Sequence, residues 1–204
     1  MTEPAPSTLY WKCGCGKLKL KIDGEPFFNA ACHCHSCVAS SRFLDEKYSS
    51  KKDHVSASVE DGSFGGFFKP DQIEVLAENL PDLGILKVGP KGKAVRKYVE
   101  CCGTLVGAVE KPFWCLNGSC LYQDAECSKN YEPSSSRPIV HCQKSNSFDP
   151  SKVPAEAYRL APFSSIMYLL WVLINPLGPS TDPDTLEKFA VDAEKADVVP
   201  ITWE

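Results

Sequence analysis

Cys13-Gly14-Cys15-Gly16-Lys17-Leu18-Lys19-Leu20-Lys21-Ile22-Asp23-Gly24 sets a pair of cysteines in front of a strict polar–apolar alternation. Leu18, Leu20 and Ile22 fall on one face and the lysines on the other. That is the period of a half-buried β-strand, and Asp23-Gly24 supplies the turn that ends it. Residues 27–31 read as a second strand that delivers Cys32. Residues 73–77, 84–88, 94–99 and 104–109 are further short strands, set apart by Pro and Gly turns. Gly62, Gly65 and Gly66 interrupt Phe64, Phe67 and Phe68 and are read as a turn or bulge between strands. Residues 45–63 and 115–150 show no clear period and read as loops, the latter with a Pro/Ser segment at 133–138. Short strands at close spacing, without long helical periods, predict a mainly β fold.

Seven of the eleven cysteines lie in three clusters: Cys13 and Cys15; Cys32, Cys34 and Cys37; and Cys101 and Cys102. Thiolates are the softest protein ligands, and four in a tetrahedral shell close a structural zinc site. Three leave a coordination position open for chemistry. The middle cluster is local, whereas the first needs partners from far along the chain. Two sites of different character are expected, one spanning the fold and one self-contained, holding one or two Zn²⁺ ions.

Composition narrows the classes. The formal net charge is −4 and the 22 basic residues are scattered, so no nucleic-acid partner is expected, because such binding rests on clustered Lys and Arg. Residues 1–20 lack the apolar core of a secretory signal. A cytoplasmic location is expected, and in that reducing compartment structural disulfides are rare. An odd cysteine count also suits a disulfide framework poorly. Residues 160–181 carry no charge but are broken by Pro162 and Pro176. No membrane span is predicted, since one needs about 20 unbroken apolar residues. The block reads as a buried helix or strand, or as an apolar wall facing a substrate or a second subunit, which leaves a homo-oligomer open. Asp182 as N-cap and Pro183 at the first helical position open a short C-terminal helix, with Leu186, Phe189, Ala190 and Ala193 on one face.

Three ordered motifs carry a family likeness: Cys13-Gly-Cys15-Gly; Cys32-His-Cys34-x-x-Cys37; and Arg96-x-Tyr98-x-x-x-Cys102-Gly103-Thr104. With Asn146-Ser-Phe-Asp149-Pro150 and Val153-Pro154, they resemble the glutathione-dependent formaldehyde-activating enzyme family, which also includes centromere protein V. The likeness covers roughly residues 10–160. It implies a zinc-binding β-tent-like domain over residues 9–160, with residues 161–204 (the apolar segment and the C-terminal helix) packed on it. It also implies a carbon–sulfur lyase that reversibly condenses formaldehyde with glutathione. In the family pattern Cys13 and Cys15 join a C-x-x-C pair to make the structural site, and Cys32, Cys34 and Cys37 make the catalytic one. Here the first cysteine of that pair is Val99, and Cys101 stands beside Cys102. Adjacent residues of a strand point to opposite faces. Either the turn is remodelled so that Cys101 substitutes, or the site keeps three ligands, or it is lost. Cys102, which holds the family position, is expected to be the indispensable one.

His33 and His35 alternate with the cysteines and should point away from an ion, although either could move protons near neutral pH. Arg96 is a candidate for a glutathione carboxylate, since guanidinium groups match carboxylates in a bidentate fashion. Cys115, Cys120, Cys127 and Cys142 match no zinc spacing; His141 and Cys142 could complete a site. The leading expectation is a zinc-dependent lyase acting on the glutathione adduct of a small aldehyde. The rivals are a relative shifted to a larger apolar or aromatic substrate, motivated by residues 166–174, and a non-catalytic zinc module that binds a partner.

Overall fold

A computed structural model of the chain describes residues 8–59, 62–76, 80–89, 95–110, 113–136, 138–144, 147, 149–158, 189 and 196–199. The expected mainly β class is what it shows. The strands are β1 (Thr8–Lys12), β2 (Lys19–Asp23), β3 (Phe28–Cys32), β4 (Ser58–Val59), β5 (Gly62–Phe68), β6 (Ile73–Val75), β7 (Leu83–Val88), β8 (Val95–Val99), β9 (Leu105–Glu110), β10 (Phe113–Asn117), β11 (Leu121–Tyr122), β12 (Ile139–Cys142) and β13 (Asp197–Val199). One α-helix, α1 (His35–Lys47), follows β3. A four-stranded sheet runs β11-β1-β2-β6, and a nine-stranded one runs β12-β3-β5-β10-β9-β8-β7-β13, with β4 added on β5. Pairing is antiparallel except for β12 on β3 and β13 on β7.

The alternation at 17–23 places the fold as expected. Leu18, Leu20 and Ile22 are buried and face Trp11, Phe68, Val106, Trp114 and Leu116, which forms the main core between the two sheets. Trp11 reaches across that core and donates from its indole Nε1 to the Asn117 carbonyl at 3.0 Å.

Two readings need correction, and one helix is an element that the sequence does not anticipate. Residues 35–47 form a helix that no clear amphipathic period announces; Val38, Ala39, Ser40, Ser41 and Leu44 are its buried residues, and two of these are serines that bond back to the preceding turn. The glycine-interrupted aromatic stretch is not a turn but the strand β5. Its glycines are there for room: a Cβ on Gly65 would press on the Cys115 sulfur, and one on Gly66 on Phe68 and Leu121. Residues 115–150 hold three strands rather than a loop, and β12 is recruited by parallel pairing with distant β3.

The apolar block at 166–174 and the C-terminal helix lie outside the described residues. Phe189 does not: it is fully buried, with its ring 5.0 Å from Trp114 in an edge-to-face arrangement. Phe189→Ala is expected to cost about 3–5 kcal/mol, read as a lower urea midpoint at unchanged slope.

Candidate metal and ligand site

Two cysteine groups converge, each with its sulfurs within 4.8 Å of one another: Cys13, Cys15 and Cys102; and Cys32, Cys34 and Cys37. Within the groups Cys13 and Cys15 stand 3.5 Å apart and Cys32 and Cys34 3.4 Å, well beyond the roughly 2.05 Å of a disulfide. These separations are close to the roughly 3.8 Å that a tetrahedral Zn–S shell with 2.3 Å bonds requires. The donor sets therefore fit zinc.

The first group joins the two sheets. Cys13 follows β1 in the small sheet, and Cys102 sits in the β8–β9 turn of the large one. The Cys13 loop closes on itself through Cys13 N–H to Leu18 O at 3.0 Å and Gly16 N–H to Cys13 O at 2.9 Å. The opposing turn closes through Gly103 N–H to Val99 O at 2.8 Å. Gly103 has φ +69°, a conformation that favours glycine, and a Cβ there would collide with the Tyr48 ring. Thr104 Oγ1 stitches the two halves, accepting from Gly14 N–H and lying 3.1 Å from Cys102 Sγ. His54 lies behind the turn, with Nδ1 3.2 Å from the Cys102 carbonyl and Nε2 2.8 Å from Asp45.

Cys102 and Cys101 occupy this turn, not a strand, so the rule of opposite faces does not separate them. The Cys101 sulfur reaches 3.1 Å from Cys15, yet it is exposed and does not join the mutual group. Cys13 and Cys102 are buried. The hydrogen bond from Cys13 brings the Cys102 thiol down to about 4, while the same bond pushes Cys13 up.

The second group is local, as its spacing predicts. Cys32 ends β3, and Cys34 is the N-cap of α1, its carbonyl accepting from the N–H groups of Cys37 and Val38 at 3.0 and 3.1 Å. Cys34 and Cys37 are one helical turn apart, which brings both sulfurs to one side, at a helix end whose dipole favours anions. Hydrogen bonds from Cys32 and Cys34 hold Cys37 below the usual thiol range against its burial, and the Arg96 guanidinium adds to this, with Nη2 3.5 Å from Cys37 Sγ. The bond from Cys32 acts to lower Cys34, but Cys37 and burial together push it up to about 11. Of the trio, Cys37 is the sulfur that faces Arg96.

His33 is buried and pairs with His141, Nε2 to Nδ1 at 3.1 Å, and is not one of the clustered metal-ligating groups. His35 is the first residue of α1. Cys142 is the register partner of Cys32 across β3 and β12, and interaction with the Cys32 thiol lowers its pKa. Cysteine spacing does not single out this fourth sulfur, although Cys142 is among the residues that the sequence marks as able to complete a site. Nor does spacing reveal the cavity of about 460 Å³ onto which Cys32, Cys37, Cys142 and Arg96 open, beside Phe28, Phe64, Phe67, Phe113 and Cys115. The only available signal was the period-2 alternation of β3 and β10, which places Cys32 with Phe28 and Cys115 with Phe113 on shared faces.

Among the described residues no helix is long and apolar enough to cross a membrane. No curated protein matches the chain significantly. Residues 8–61, which contain both the Cys13/Cys15 pair and the Cys32/Cys34/Cys37 trio, match the model of the glutathione-dependent formaldehyde-activating enzyme family, the family that the cysteine motifs resemble.

Proposed function

We propose that the chain is a zinc-dependent carbon–sulfur lyase acting on the adduct of a thiol, glutathione, with an aldehyde. The observation that carries this reading is a cysteine trio of which Cys32 and Cys37 line a cavity of about 460 Å³, within the size range of small-molecule sites. Cys32, Cys34 and Cys37 would hold the ion, which when bound supplies Lewis acidity toward a thiolate or carbonyl oxygen. Arg96 neutralises the Cys37 sulfur and presents positive charge where oxygen charge develops. In the forward direction the thiol sulfur bonds to the carbonyl carbon and the thiol proton ends on the oxygen; the reverse step returns both. His33 is paired with His141, and neither lines the cavity, so neither is assigned that proton.

The Cys13/Cys15/Cys102 group is the structural site in this reading, and two sheets joined by it support a β-tent. Phe189 on Trp114 and β13 on β7 support packing of 161–204 on the domain spanning 9–160. The enzyme would work in the reducing cytoplasm, where thiolates stay available to metal.

The test is exchange NMR of formaldehyde, glutathione and their adduct with zinc-loaded protein. Exchange faster than the spontaneous rate is expected; no acceleration at high enzyme concentration overturns the proposal. A second reading, a non-catalytic zinc module, is favoured by the register pairing of Cys142 with Cys32, because a fourth thiolate would close the shell. Cys142→Ser separates the two. Loss of the second zinc supports the closed module, and retention of both metal and exchange activity supports the enzyme.

A further inference from the structure

The floor of the cavity is one face of the large sheet, and its two ends differ in chemistry. On β3 the residues Cys32, Ala30 and Phe28 alternate onto this face, and on β5 they are Ser63, Gly65 and Phe67. Register pairs Cys32 with Ser63 at the sulfur end, and Phe28 with Phe67 at the other. Four residues of strand separate the ends, roughly 13 Å. Ala30 and Gly65 keep the space between them clear. At the far end Phe28 and Phe113 each lie 5.5 Å from Phe67, in tilted packing.

Formaldehyde is far too small to span that floor. Glutathione is long enough, but it carries two carboxylates and an ammonium, and among the described residues lining the cavity Arg96 is the one with a permanent charge. Arg96 Nη1 is buried and, among the described residues, has no hydrogen-bond partner. A buried donor left unmet is costly, and an oxygen brought in by a ligand is the partner it lacks. The aromatic wall and the single cation are complementary to a flat apolar molecule with oxygen at one end.

We infer that this cavity binds an aromatic carbonyl compound, its rings against Phe28, Phe67 and Phe113 and its oxygen toward Arg96. This rests on the proposed lyase reading only for the chemistry: an aromatic aldehyde takes the place of formaldehyde as the electrophile. Its thiol adduct forms by the same addition, sulfur to carbon and proton to oxygen.

The probe is 2-naphthoate, which has the shape and terminal oxygen of an aromatic aldehyde and does not react with thiols. Its binding is followed by calorimetry beside that of neutral 2-naphthylmethanol, on zinc-loaded and on chelator-treated protein. Wild type is expected to bind naphthoate about 10-fold or more tightly than the alcohol. Arg96→Met should remove that preference, weakening naphthoate far more than the alcohol, and Phe67→Ala should weaken both by about 10-fold. Melting curves establish that each variant is folded, and the two-ligand comparison on wild type stands without them. No saturable naphthoate binding, or equal affinity for acid and alcohol in wild type, overturns the inference. Arg96-dependent binding without zinc or lyase activity would retire the proposed reaction and keep the ligand class. Formaldehyde–glutathione turnover with no aromatic binding would do the reverse.

Discussion

Cys34→Ser is expected to lower lyase turnover more than about 100-fold and to remove one zinc per chain while the protein stays folded. Losing a partner that merely orients a metal ligand costs about 10–100-fold in affinity or activity; losing a ligand costs more. The fold should survive because Cys32, Cys34 and Cys37 come from one short stretch at the junction of β3 and α1. None of the three belongs to the main core between the sheets. Zinc per chain by elemental mass spectrometry, circular dichroism and exchange NMR on the same preparation read all three quantities. A variant with normal metal content and normal turnover would remove the trio from the mechanism. One that unfolds would show that the second ion is structural.

The second large effect concerns the β8–β9 turn. Cys102→Ser is expected to cost more than about 4 kcal/mol, the exceptional range that includes loss of a structural metal. At about 2–4 °C per kcal/mol for a chain of this size, Tm falls by roughly 8–16 °C. Cys102 is buried and lies within one sulfur group with Cys13 and Cys15, so its loss both opens the metal shell and unties one sheet from the other. Cys101→Ser is expected to cost about 1 kcal/mol or less, since Cys101 is exposed and meets only the edge of the group at Cys15. Melting curves and zinc stoichiometry of the two variants decide it. Equal, large losses would show that both sulfurs bind and that the turn has been rebuilt around a displaced ligand.

Between them, these experiments probe the two clusters that differed most in legibility. The spacing of Cys32, Cys34 and Cys37 is enough to predict a local site, because residues three apart meet whenever the chain turns into a helix, whatever the remainder does. Cys13 and Cys15 announce only that they need distant partners. Which partners they meet depends on the β8–β9 turn crossing to the small sheet, and the sequence leaves three outcomes open there. Treating Cys101 and Cys102 as neighbours on a strand pointed to opposite faces. The structure sets them in a turn closed on Val99, where that rule does not apply.

The same division holds for the fold. The alternation of Leu18, Leu20 and Ile22 determined, by itself, a strand with one buried face, and the repeated short runs determined a mainly β chain. Both are local consequences of backbone geometry and of the side-chain period of two. The helix α1 was hidden because serines occupy part of its buried face, so its apolar period is weak. The strand β5 was hidden because its glycines make room for Cys115, Phe68 and Leu121 rather than for a turn. The sequence determined the ligand types and the strand period. Only the tertiary structure decided that Cys142 lies beside Cys32, and that Arg96 and the phenylalanines of β3, β5 and β10 share one cavity. Those contacts join residues tens of positions apart through sheet register, and register is set by the packing of the whole core rather than by any one segment.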